Sequence, residues 1–317
     1  PAQQQELVEL SLAAGRKAKS STAYQAAIDY FTISIEQLTD DCWQSQYALT
    51  LALHEEMAEA RYLKGDFDQL DEIAQATLGS AKTRLDKITT YEIQIQACLA
   101  QNLLAEAIEI ALGVLRQLGI RLPTTPNKAQ VMLGLVKTKL ILFGKKPRDL
   151  VELPTMSDPE KLAAMRILSS ALSAAFIGAP KLLPLLVFEQ VNLSVKSGNM
   201  PLSAFAYAWY GTILCGVLVD MKGGYAFGQL ALSVLERFQA KNLRCKTFHT
   251  VNSFINPWSQ HVKLTLEGIE AAYQSGVETG DVEYSAWAAV LQGCHLYWVG
   301  AELSNLEQTL QHYEAAV

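Results

Sequence analysis

Residues 195–220 recur further along the chain as residues 277–302. Val195, Gly198, Ser203, Ala204, Ala206, Gly211, Leu214 and Val217 return as Val277, Gly280, Ser285, Ala286, Ala288, Gly293, Leu296 and Val299. Asn199 becomes Asp281, Phe205 becomes Trp287 and Asp220 becomes Glu302. Self-similarity at a fixed spacing restricts a chain to repeat architectures, because each unit buries its apolar face only against the next. The spacing divides into two units of about 41 residues, each one helix pair, longer than a regular tetratricopeptide repeat of about 34.

The first copy holds the tract SGNMPLSAFAYAWYGTILCGVLVD (197–220), in which no residue before Asp220 is charged. About 18 uncharged residues suffice to span a bilayer. Asn199, Ser203, Thr212 and two tyrosines weaken that reading, and the second copy carries Asp281, Glu283, Gln292 and His295, which lipid tolerates poorly. The tract is therefore expected to be a buried inner helix, and no membrane span is expected.

The period elsewhere is helical. In 103–118, Leu104, Ala107, Ile108, Ala111, Leu112, Leu115 and Leu118 share one face, and in 66–78 Phe67, Leu70, Ile73, Ala74 and Thr77 do the same. Alternating strand patterns and Asn-Gly or Asp-Gly hairpin signals are absent, so the chain reads as all-α, with roughly fifteen helices. Gly65-Asp66, Gly198-Asn199 and Gly280-Asp281 each pair a helix-ending glycine with a side chain expected to cap the next helix. Two proline-bearing stretches, 119–127 and 144–159, predict looser joints. Together these features predict an α-solenoid of tetratricopeptide-like antiparallel helix pairs. An N-terminal set covers 1–125 and a more degenerate set covers 126–317, in one continuous superhelix. Residues 14–34, with Gly15, Ala18, Ala27 and Phe31, carry the small-residue spacing that lets two helices cross closely.

The strings VLRQLGIRLPTTP (114–126), AEARYLKGDFDQLDEIAQATL (58–78) and GDVEYSAWAA (280–289) resemble one family. It is the helical region that follows the STAND-type ATPase module in large bacterial serine/threonine kinase–GAF–histidine kinase signalling proteins. The resemblance implies a regulatory or sensing arm of such a protein, with neighbouring domains or a signalling protein as partner. The chain begins at Pro1 and ends at Val317 inside a helical pattern, and is expected to be part of a longer polypeptide.

No chemistry-bearing motif was found. There is no G-x-G, and the single Gly-Lys, Gly144-Lys145, lacks the Ser or Thr of a phosphate-binding loop. The five histidines show no zinc-binding spacing. The fragment is thus expected to be no enzyme and to need no metal or cofactor. A net charge of −6 argues against nucleic acid as partner. Five scattered cysteines without CxxC spacing, and no signal peptide, suggest a cytoplasmic setting.

Aromatic residues concentrate in the second half: Tyr207, Trp209 and Tyr210, then Phe248, His249 and Asn252, then Trp287, His295, Tyr297 and Trp298. Such rings either fill gaps between stacked helices or line a concave groove with His and Asn as polar anchors. Tyr210, His249, Asn252 and Trp298 are the candidate groove residues, and they leave open the alternative of a small-molecule or peptide receptor. Residues 128–148 carry Lys128, Lys137, Lys139, Lys145, Lys146 and Arg148 with no acid. This is either a solvated face or a docking face for an acidic domain or anionic lipid headgroups.

Overall fold

The computed structural model describes residues 2–314, and side chains from Glu6 to Tyr313. Among the described residues the regular structure is helical, seventeen α-helices and four short 3₁₀ turns. The only strand-like feature described is an isolated parallel bridge between Thr155 and Asn199. The apolar spacing has the expected consequence. Helix Leu104–Gln117 buries Ala107, Ile108, Ala111, Val114 and Leu115, and helix Phe67–Ser80 buries Leu70, Ala74 and Thr77.

The described chain forms two compact units. The first holds residues up to Thr124 together with Arg166–Ala179, and the second holds Thr125–Met165 with the residues from Pro180 on. In the first unit, helix Ala2–Ser20 packs on Tyr24–Glu36, where a Cβ on Gly15 would lie 2.7 Å from a Phe31 ring carbon. Only glycine lets the two helices meet there. Val8, Leu12, Ile28, Phe31, Leu53 and Met57 form the core beneath. Arg166 donates to Glu92 and to the Thr89 hydroxyl, and Gly178 lies against Leu104. These contacts bind 166–179 to helices Ile88–Ala100 and Leu104–Gln117.

In the second unit, helix Lys128–Leu142 opens with a capping box between Asn127 and Gln130. It packs on Leu183–Ser197, with Gly134 against Leu185 and Phe188. Segment 144–159 contains the 3₁₀ turn Pro147–Glu152 and is fixed in place by distant side chains. Asn199 donates its amide to Leu150 O at 2.7 Å, Arg237 donates to Val151 O and Leu153 O, and Met156 N–H donates to Asn199 O.

The uncharged tract becomes helix Pro201–Gly216, buried along almost all of its length from Ser203 to Cys215. By length and composition alone, one stretch of the described residues could cross a membrane: Pro159–Gly178, half of it buried.

The recurrence seen in sequence is repeated in the packing. Ser194 and Ser203 touch through their hydroxyls at 2.8 Å, joining Leu183–Ser197 to Pro201–Gly216. At the equivalent positions, a Cβ on Gly276 would lie 2.7 Å from Ser285 Cβ, joining Leu266–Thr279 to Val282–Trp298. Gly211 admits the backbone of Gly224 on the following helix, and its counterpart Gly293 admits Leu310.

The capping expectation needs correction at two of its three sites. Gly65 and Gly280 end their helices in the left-handed conformation, and Asp281 accepts the Tyr284 N–H. Asp66 instead takes Arg61 at 2.6 Å, because the guanidinium one turn back reaches it first. Asn199 is buried with its amide committed to Leu150 O and its carbonyl to the Tyr207 hydroxyl, so Ser203 Oγ accepts the Met200 N–H in its place.

Candidate functional site

Helices Arg244–Phe254, Leu266–Thr279 and Val282–Trp298 pack together and enclose a polar group among rings. His249, 4 % exposed, lies edge-on to Phe254 and Tyr284, with centroids 5.8 and 5.7 Å away. Burial, and secondarily the nearby His295, holds its imidazole at a pKa of about 4. His249 is therefore neutral at physiological pH, and its Nδ1 has no hydrogen-bond partner among the described residues. One turn on, Asn252 donates to Phe248 O at 2.9 Å and accepts from Asn256 at 2.8 Å. The bare Gly268 backbone leaves room for its amide. His295 shares a 2.8 Å hydrogen bond with Thr265, and burial lowers its pKa as well.

Tyr210 belongs to a different packing layer. Its ring meets Phe227 edge-on at 4.7 Å and Phe188 at 6.1 Å, and burial with some help from Asp220 pushes its phenol up to about 12. Of the four residues selected from sequence, Tyr210, His249 and Asn252 are thus interior, and Trp298 alone is exposed, at 62 %. None of the four lines either cavity described below.

The surface feature that sequence reasoning missed is a face of helix Val282–Trp298. Trp287, Val290, Tyr297 and Trp298 all point outward. In the earlier copy the equivalents of the first three are Phe205, Ala208 and Cys215, which are fully buried. Phe205 is covered by the ring of Tyr284 at 5.5 Å and by Lys246. A face that the packing covers in one copy stands bare in the other. The spacing had already aligned Trp287 with Phe205; it did not say which copy would be covered.

Two of the cavities among the described residues open in the second unit. One of about 600 Å³ lies between helices Met221–Arg237 and Arg244–Phe254, with Gln229, Ser233, Glu236, Lys241, Arg244 and Phe248 in its wall. The other, of about 340 Å³, is apolar: Val131, Leu135, Phe188, Ile213 and Leu218 line it, with Lys128 and Lys181 as its ionisable groups. Among the described residues no cluster of three His, Cys, Asp or Glu side chains is placed to hold a metal. Cys245 beside the His249 helix layer is a thiol and not a thiolate, since burial and then Asp281 push it up to about 12. The arrangement is suited to contact by rings and apolar side chains.

No family model matches the chain. Along 97 % of its length it is similar to Hybrid signal transduction histidine kinase G of Dictyostelium discoideum, with 21 % identity over 337 aligned residues. The chain spans 10 % of that relative's length.

Proposed function

We propose that this chain is a non-catalytic arm of a larger cytoplasmic signal-transduction protein, built of tetratricopeptide-like helix pairs in a superhelix, that binds protein partners and regulates attached ATPase and kinase domains. The observation that carries the reading is the bare ring face of Trp287, Val290, Tyr297 and Trp298, set against its covered equivalent at Phe205, Ala208 and Cys215. An exposed apolar face of this kind is what a partner surface fills. Similarity along nearly the whole chain to a small fraction of a signalling kinase supports the same setting. Regulation would follow if a partner binds one arrangement of the stacked helices better than another. Trp298 belongs to the contact face in this reading, while His249 and Asn252 hold the helices beneath it and Tyr210 packs in a separate layer.

The test mixes the purified chain with the separately expressed neighbouring domains of its full-length protein, and measures phosphate transfer from ATP in parallel. Saturable binding lost in the double variant Trp287→Ala, Trp298→Ala, with no phosphate transferred by the chain alone, is the expected result. Phosphate transfer by the chain alone overturns the non-catalytic assignment, and binding indifferent to the double variant removes this face.

A receptor role for the same region has one observation in its favour. His249 Nδ1 and Gln292 Oε1 are each buried without a hydrogen-bond partner among the described residues, and bound polar groups would satisfy them. Native mass spectrometry of the chain as purified would show a bound molecule as added mass, lost in His249→Phe.

A further inference from the structure

Helix Lys128–Leu142 is apolar on two opposite faces. One packs inward through Leu135 and the buried Thr138, with Gly134 pressed against Leu185 and Phe188. The other presents Met132, Leu133, Val136, Leu140 and, just past the helix end, Phe143 to solvent; Leu133 and Leu140 are each 70 % exposed and Phe143 is 85 % exposed. A helix apolar on both sides is normally covered on both. The outward residues are spaced with the alternating steps of three and four that make a helix-packing seam: Ala129, Leu133, Val136, Leu140, Phe143. On that register the helical positions bordering the seam include Lys137 and Lys139, and Lys145 and Lys146 follow just past the helix end.

Lys137 is engaged by Glu189 at 2.5 Å. Lys128, Lys139, Lys145 and Lys146 are exposed and make no ion pair among the described residues. Met132 borders the seam, next to Leu133, and is also part of the wall of the 340 Å³ apolar cavity, which lies open to one side of the helix. Seam, flanking charge and anchor pocket are the three parts of a helix-in-groove recognition surface.

We infer that the outward face of helix Lys128–Leu142 docks an amphipathic helix of a protein partner, with acidic side chains flanking its apolar stripe and one large apolar residue seated in the cavity beside Met132. The lysines on the seam's flanks select the acidic partner, because like charges across a helix seam repel and opposite charges attract. This surface is separate from the ring face of Trp287 and Trp298 and does not depend on it.

The probe is a synthetic helical peptide of about four heptads, enough to fold as one helix, with Leu along its stripe and Glu on both flanks. Its counterpart carries Lys on the flanks. Each is labelled and titrated with the whole chain by fluorescence anisotropy at low and high salt. The Glu peptide should bind saturably, the Lys peptide at least about tenfold more weakly, and added salt should narrow the difference. Leu133→Gln with Leu140→Gln should abolish binding, while Lys139→Glu with Lys146→Glu should shift the preference toward the Lys peptide. These positions are exposed, and circular dichroism confirms that the variants keep their helices. Trp287→Ala with Trp298→Ala should leave peptide binding intact. Equal binding of both peptides, binding of neither, or no response to charge reversal overturns the inference. So does flotation of the chain on vesicles of phosphatidylserine and phosphatidylcholine that depends on Leu133 and Leu140 while the Glu peptide fails to bind, which would assign the face to lipid.

Discussion

Ser194 and Ser203 touch through their hydroxyl oxygens, 2.8 Å apart, where helices Leu183–Ser197 and Pro201–Gly216 cross. Gly276 and Ser285 meet at the corresponding crossing of the next copy. Side chains this small are what the close approach of two backbones demands. A Cβ on Gly276 would lie 2.7 Å from Ser285 Cβ and 2.8 Å from Cys245 Sγ, and neither neighbour is a flexible chain end. Gly276→Leu should therefore cost about 2 kcal/mol or more by overpacking. It should lower the melting temperature by about 4–8 °C in thermal unfolding followed by circular dichroism. An unchanged melting temperature would mean that the helices are not held at this crossing.

The helical class and the internal recurrence were legible because they depend on side-chain size and spacing, which sequence displays directly. The caps were half legible. Asp281 forms no ion pair among the described residues and caps its helix, whereas Arg61 claims Asp66 and burial claims Asn199. Prolines announced the irregular backbone of 144–159, but what fixes it comes from Asn199 and Arg237, far along the chain. The exposed ring face stayed hidden because helix Val282–Trp298 buries Ser285, Gln292 and His295 while Trp287, Tyr297 and Trp298 face outward, the reverse of the usual sorting. Residue type then cannot say which rings are interior.

Asn199 ties three pieces together: it donates to Leu150 O, accepts from Tyr207, and exchanges backbone hydrogen bonds with Pro154 and Met156. Asn199→Ala removes the donor to the buried Leu150 carbonyl and the acceptor of the buried Tyr207 hydroxyl, at a cost of about 1–3 kcal/mol. Hydrogen exchange should quicken across 147–156 more than across helix Met221–Arg237. Uniform behaviour of the two segments would show that the segment is held by other means.

His249 gives the fold a dependence on acid. The folded chain takes up a proton there only near pH 4, while the unfolded chain takes one near the ordinary value of 6.5. Protonation thus favours unfolding, and stability falls as the pH drops through that window, by up to about 1.4 kcal/mol per pH unit. His295, lowered by burial, acts in the same direction. Denaturant unfolding between pH 7 and pH 4 should show a shallower decline in His249→Phe than in the parent chain. Parallel curves would remove His249 as the cause.

Replacing His249 and Trp298 separates interior from surface. His249→Ala empties a space between Phe254 and Tyr284 and should cost about 3 kcal/mol. Trp298→Ala removes a ring that is mostly in water and should change stability by no more than about 0.5 kcal/mol. A Trp298 variant as destabilised as the His249 variant would make Trp298 part of the core.

The claim on which the functional reading stands is that the outward rings of helix Val282–Trp298 meet another protein surface. Hydrogen–deuterium exchange of residues 282–298, recorded for the isolated chain and for the chain bound to its neighbouring domains, measures this directly. Slower exchange across Trp287–Trp298 in the bound form, absent when both tryptophans are replaced by Ala, is the expected result. Identical exchange in the two forms, under conditions where binding is saturated, would contradict it.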